Sequence, residues 1–139
     1  MNNPFEIMET RDMNFYCTLG EFFSSPEVRK ELPYLKDEYN RKWLVVFETA
    51  KKDKIMAVAS YSITKKKVLR LQSAYVFPKF RNKGLYEFLI DTRLKMGKKD
   101  GARKARTITK SPIVISLMKK KGFKITNSKI NYKTMEYQF

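Results

Sequence analysis

Between Val68 and Thr109 the hydrophobic pattern changes period twice, and this limits what the chain can fold into. "VLRLQSAYVF" reads as a strand. "GLYEFLIDTRLKMGKK" then places Leu85, Phe88, Leu89 and Met96 at helical spacing, and "DG" ends the helix. "ARTIT" is a short strand again. Strand, helix and strand in succession form a β-α-β unit, which implies a parallel strand pair. The neighbouring segments imply antiparallel pairing. "KWLVVFET", "IMAVASYSI" and "VLRLQSAYVF" are separated by the polar turns "AKKDK" and "TKKK", which predicts a three-strand meander. "FEIMET" predicts a first short strand. Helical pieces are expected from about Met13 to Leu35, interrupted at "SSPE", where Ser25 caps and Pro26 takes a first helical position, and again at Pro33. "SPIVISLMKKKGF" runs from a Ser cap with Pro at N1 to a Gly C-cap, and "KITNSKINYKTMEYQF" closes the chain as one or two strands. The fold class is therefore α+β (α/β), with a mixed, mostly antiparallel central sheet and one parallel pair.

The chain has 139 residues, the size of one domain, and 42% of them are apolar. No apolar run approaches the length of a membrane span. The start, "MNNPFEIMETRD", lacks a basic segment followed by an apolar one, so no secretory leader is expected. The single cysteine, Cys17, cannot form an internal disulfide, and a cytoplasmic setting is expected. There is no histidine, which removes Ser–His and Cys–His catalysis and histidine metal sites. No metal is expected.

The formal net charge is +16, and it is unevenly placed. Residues 1–64 carry 9 Lys and Arg against 10 Asp and Glu, whereas residues 65–139 carry 21 against 4. A lysine-rich composition alone would decorate both halves. Scarcity of acids in one half points to a polyanionic partner, a nucleic acid, whereas no membrane partner is expected. Lys98, Lys99, Arg103 and Lys104, around "KKDGARK", are the candidate phosphate contacts.

In "VFPKFRNKGLY" a strand ends at a proline and is followed by a basic loop, one glycine and a helix. Backbone N–H groups from about Asn82 to Leu85 would point past the helix N-terminus and form an anion nest. Gly84 would let the backbone approach a ligand closely, and Arg81 and Lys83 would add charge. The plainer reading of this junction is a turn whose glycine eases the bend.

At these residues the chain resembles the GNAT superfamily of N-acetyltransferases. "RNKGLY", Arg81 to Tyr86, looks like the family's pyrophosphate motif, Q/R-x-x-G-x-G/A, and "YVFPKF" looks like its lead-in. "SPIVISLMKKKGF" is similar to the family's later helix, with Leu117, Lys120, Gly122 and Phe123 matching. The resemblance implies helices on both faces of the sheet, a parallel strand pair that splays apart, and acetyl-CoA or another acyl-CoA as cofactor. It also implies a cofactor site at Ala74, Tyr75, Val76, Arg81, Asn82, Lys83, Gly84, Leu85, Tyr86 and Ser111. Four positions depart from the family pattern. Tyr86 replaces a second small residue, Met118 stands where many members have a proton-donating tyrosine, Ser111 stands in the place of an Asn, and Arg70 stands at the position of a glutamate base.

Replacement proton carriers are Glu48, late in its strand, Tyr75 and Tyr137; Tyr61, Tyr132, Ser73 and Ser116 are weaker candidates. The function expected is acyl transfer to an amine carried on nucleic acid, either an aminoacyl-tRNA or, as in Mom-like phage proteins, a DNA base. The alternatives are a small amine or protein lysine as acceptor, or a nucleic-acid-binding fold with reduced catalysis. An α-amino group, with an ordinary pKa of about 7.7–8, needs little help from a base.

Overall fold

The computed structural model describes residues 3–139. The elements run β1 (Phe5–Met8), α1 (Met13–Ser24), α2 (Pro26–Glu31), β2 (Lys42–Phe47), β3 (Ile55–Ile63), β4 (Val68–Val76), α3 (Leu85–Lys99), β5 (Lys104–Thr109), α4 (Pro112–Lys120), β6 (Lys124–Lys129) and β7 (Tyr132–Gln138). A short 3-10 turn, Pro78–Phe80, follows β4. The strands form one mixed sheet in the order β1-β2-β3-β4-β5-β7-β6, in which β4 and β5 are the parallel pair. The expected element order and fold class are those observed. Glu48 and Thr49, expected inside the strand, instead open the hairpin after Phe47.

Two compact units make up the chain. One holds the residues up to Tyr61 together with Ser73–Leu89, and the other holds Ser62–Gln72 and Ile90–Phe139. Strands β3 and β4 and helix α3 contribute to both.

In the first unit, β2 is buried on both sides. Trp43, Val45 and Phe47 meet Phe15, Leu19 and Phe22 of α1 and Val28 of α2, while Leu44 and Val46 pack with Leu85 and Leu89 of α3. This explains why "WLVVF" has no polar alternation. Helix α1 starts where the Asp12 carboxylate accepts the Phe15 N–H at 2.9 Å. Ser25 caps α2 by accepting the Val28 N–H at 3.3 Å, and Pro33 follows the helix end.

In the second unit, the parallel ladder covers three residue pairs, Val68 with Lys104, Leu69 with Ala105 and Arg70 with Arg106. At the next carbonyls of β4 the donors are side chains. The Thr107 hydroxyl donates to Leu71 at 3.5 Å, and the buried Arg93 guanidinium donates to Gln72 at 3.1 Å. These side chains supply donors to two carbonyls of β4 beyond the three ladder pairs. Gly97 of α3 lies on Leu69, where an added Cβ would sit 2.4 Å from a Leu69 methyl. Gly97→Ala should therefore destabilise the protein by about 1–3 kcal/mol, despite alanine's better helix propensity. Chemical denaturation checks this. Pairing the change with Leu69→Val should cost less than the sum of the two single changes, because the smaller side chain relieves the overlap.

Candidate functional site

The turn after β4 carries the site, and all its parts lie in the first unit. Phe77 ends the strand, its N–H held by the Met56 carbonyl at 3.0 Å, and Pro78 forbids further ladder bonding. The chain then enters the left-handed region twice, at Asn82 with φ 63° and at Gly84 with φ 78°. Asn and Gly are the residues that adopt this conformation most easily. Helix α3 begins at once, with the Gly84 carbonyl accepting the Phe88 N–H at 3.0 Å. Among the described residues, the N–H groups of Asn82, Lys83 and Gly84 find no acceptor. A Cβ built on Gly84 meets nothing within 4 Å. Unpaired donors, open space and the positive end of a helix dipole together favour an anion.

The cations are placed differently from the expectation. Arg81 was expected to face the anion. Its guanidinium instead donates to the Glu31 carboxylate at 2.6 Å and to the Val76 carbonyl at 2.8 Å, and lies 5.3 Å from the Tyr75 ring centre. The charge beside the turn comes from Lys79 and Lys83, whose ammonium groups lie 5.7 and 5.8 Å from the Phe80 ring centre. Close approach of Lys54 holds the Lys79 ammonium below its ordinary pKa, with Glu48 opposing. Lys54 and Lys79 were not singled out in the sequence, since they meet only through the β2–β3 hairpin. An anion bound beside them would relieve this crowding.

Glu31 is the other residue the sequence did not reveal. It sits at the end of α2, and the Arg81 hydrogen bond holds its carboxyl below the usual range. Tyr75 is buried beside it. Burial, then the Glu31 charge, pushes the Tyr75 hydroxyl above its ordinary value, so it stays protonated.

Of the remaining candidates, Ala74 and Val76 flank Tyr75 at the end of β4, while Leu85 is buried and Tyr86 is half-buried in the first turn of α3. Glu48 is exposed and lies 3.8 Å from Lys54. In the second unit Tyr137 is a packing residue, stacked with Phe123 and Phe139 at ring separations of 5.4 and 5.6 Å. The Ser111 hydroxyl caps α4 by accepting the Val114 N–H at 3.3 Å. Met118 is buried. Lys98, Lys99 and Arg103 are exposed, but Lys104 is turned to Glu136 at 3.5 Å.

Next to the turn, a cavity of about 700 Å³ opens between α1, the start of α2 and the β2–β3 hairpin. Phe22, Phe47 and Phe77 form its apolar walls, Glu21, Glu27 and Asp53 bring carboxylates to it, and Lys52 and Lys54 bring ammonium groups. Among the described residues, no group of three potential metal ligands occurs and no helix is long and apolar enough to cross a membrane.

The sequence profile of the acetyltransferase (GNAT) family matches residues 8–123. The chain belongs to this family, a class of acetyl-CoA-dependent N-acetyltransferases. Among solved structures, it is similar to a Bacillus subtilis acetyltransferase in complex with CoA, at 18% identity and a TM-score of 0.70 over 99% of both chains. It is also similar to the PaiA N-acetyltransferase of Thermoplasma acidophilum in complex with coenzyme A, at 16% identity and a TM-score of 0.65 over 98% of this chain and 99% of that one. A third similar structure is the spermidine/spermine N-acetyltransferase SpeG of Vibrio cholerae, at 17% identity and a TM-score of 0.66 over 97% and 91%. At these identities the likeness is one of fold. No curated protein matches the sequence.

The Arg81–Glu31 pair makes a pH prediction. Glu31 has a depressed pKa, so its contribution is present above the ordinary carboxylate range and is lost as pH falls through the lowered value. Glu31→Gln should cost less than about 1 kcal/mol at neutral pH, because both side chains are more than a third exposed. The gap between parent and variant should close on acidification. Denaturation series from pH 7 to 3 measure it, and a gap that is equal at every pH would exclude an electrostatic origin.

Proposed function

We propose that the 139 residues act as one GNAT-like domain that transfers an acetyl group from acetyl-CoA to an amine. The observation that carries this reading is the turn before α3, with three unpaired N–H groups and open space at Gly84, in a member of this family. The residues fit a pyrophosphate. Asn82, Lys83 and Gly84 donate from the backbone, and Lys79 and Lys83 supply charge. Ala74–Val76 would border the pantetheine arm, where the Val76 carbonyl is already held by Arg81 and the Phe77 N–H by the Met56 carbonyl. When bound, acetyl-CoA supplies a thioester that an amine nitrogen attacks, with release of the thiol. The Tyr75 hydroxyl is assigned as proton donor to the departing sulfur by its place at the end of β4; burial and Glu31 raise its pKa and make it a weaker acid than an ordinary tyrosine. No residue is assigned as base, because an α-amino group is largely or partly neutral near pH 8.

The acceptor in this reading is an amine carried on nucleic acid. Support comes from the charge balance of residues 65–139, 21 basic against 4 acidic. The cavity favours a second reading. Its carboxylates, Glu21, Glu27 and Asp53, outnumber its lysines, Lys52 and Lys54, and with the phenylalanines they suit a free cationic amine with an apolar body. A polyamine would fit these requirements, and spermidine and spermine are substrates of the Vibrio cholerae relative. Transfer of radiolabelled acetyl groups to aminoacyl-tRNA, DNA and polyamines, compared at one enzyme concentration, decides between the two.

Acetyl-CoA should raise the melting temperature, since ligand at a hundredfold excess over Kd stabilises a fold by about 2.7 kcal/mol. Gly84→Glu should abolish the shift by placing bulk and negative charge where the nest opens. A preserved shift in that variant would remove the turn from the site. Tyr75→Phe keeps the packing but removes the proton. It should lower kcat by about 10²–10⁴ with little change in the acetyl-CoA KM, as measured by thiol release. An unchanged kcat would take Tyr75 out of the chemistry.

A further inference from the structure

The strand register of the second unit sorts its side chains onto two faces. Ala105, Thr107, Met135 and Tyr137 fall on one face, and Phe123 and Gly122 after α4 pack on it. The other face carries Arg70 of β4, Arg106 of β5, Glu136 of β7 and Lys124 of β6 in one cross-strand row. Ile108, Thr134 and Asn127 form the next row, and Tyr132 pairs with Lys129 beyond it. Lys110 continues the same side of β5, with its ammonium 5.8 Å from the Tyr132 ring centre. Arg70, Lys124, Lys129, Ile108 and Tyr132 are all exposed.

Charge on this face is one-sided. Among the described residues of its rows Glu136 is the one carboxylate, and it is already committed to Arg106 at 2.7 Å and Lys104 at 3.5 Å. That leaves Arg70, Lys110, Lys124 and Lys129 uncompensated by any acid on the face. The β6–β7 hairpin adds a second feature. Ile130 at its tip is 95% exposed and holds φ 50°, a left-handed conformation that suits Asn or Gly and disfavours a β-branched residue. An apolar side chain is thus held out into solvent, at a conformational cost, beside the basic face.

We propose that this sheet face and hairpin form a platform for single-stranded nucleic acid. The proposal deepens the nucleic-acid reading above and rests on it. Cations spaced across strands about 4.8 Å apart track a phosphate backbone, and Tyr132 with Ile108 and Ile130 offers surfaces for unpaired bases. A duplex covers its base faces and cannot use them. The platform replaces the expected contacts at Lys98, Lys99 and Arg103 as the main binding surface.

The test uses the full chain and fluorescently labelled 20-nucleotide single-stranded RNA, single-stranded DNA and a matched duplex, read by anisotropy at several salt concentrations. Arg70→Glu/Lys110→Glu/Lys124→Glu should weaken single-strand binding at least tenfold and reduce the log–log salt slope by about 2, at roughly 0.7 per lost contact. Tyr132→Ala should weaken it at least fivefold, whereas Lys98→Glu/Lys99→Glu/Arg103→Glu should change it less than threefold. Ile130→Asn, which suits the hairpin backbone, should retain the fold while weakening binding. Circular dichroism and the acetyl-CoA melting shift, expected unchanged in every variant, exclude unfolding as the cause. Tighter duplex binding, equal losses from both triple variants, or a change confined to sedimentation behaviour would overturn the platform. No salt-sensitive binding by a parent protein that still responds to acetyl-CoA would overturn it too, while leaving the acetyltransferase reading intact. Loss of the acetyl-CoA response in the parent would count against the acetyltransferase reading alone.

Discussion

Strand β2 has no side that faces water, and the first unit follows from that. Trp43, Val45 and Phe47 need one apolar cover and Leu44 and Val46 need another. Helices α1 and α2 supply the first, and the start of α3 supplies the second. Residues 77–84, which include the 3-10 turn Pro78–Phe80, carry the chain from β4 back to the sheet as α3. Two residues in left-handed conformations make the bend, and they leave the N–H groups of Asn82, Lys83 and Gly84 without acceptors. The demand for burial thus brings these N–H groups together at the start of α3.

Electrostatics divides the work between side chains that are near each other in sequence. Arg81 and Lys83 are two residues apart, and both looked equally suited to a phosphate. Arg81 is folded back onto Glu31 and the Val76 carbonyl, where it locks the end of α2 to the end of β4. Lys83 remains at the turn and is joined there by Lys79 and Lys54. An arginine fork can satisfy a carboxylate and a carbonyl together, which suits it to the structural role. A lysine ammonium is a compact point charge, which suits Lys79 and Lys83 to the rim of the turn.

The same logic separates the two faces of the second unit's sheet. One face is closed by packing around Met135 and Tyr137. The other is left to charge, with Glu136 surrounded by Arg106 and Lys104, and the remaining cations turned to solvent. The helix end at Lys98 and Lys99 is basic too, but it lacks the flat aromatic and aliphatic surface that the sheet presents.

Much of this was written in the chain itself. Period changes gave the element order, Ser25 with Pro26 and Ser111 with Pro112 marked two helix starts, and "RNKG" marked the turn. These signals are legible because each depends on neighbours within a few residues, through hydrogen bonding and backbone sterics. Tertiary structure alone decided what depends on residues far apart in sequence. Glu31 meets Arg81 across 50 positions, Lys54 meets Lys79 from a different hairpin, and Arg70, Arg106, Glu136 and Lys124 become one row only through strand register. Burial made Met118 a packing residue, and ring contacts with Phe123 and Phe139 engage the half-buried Tyr137. Coulombic and packing energies act through space, so the linear order of residues carries no direct record of them until the sheet is assembled.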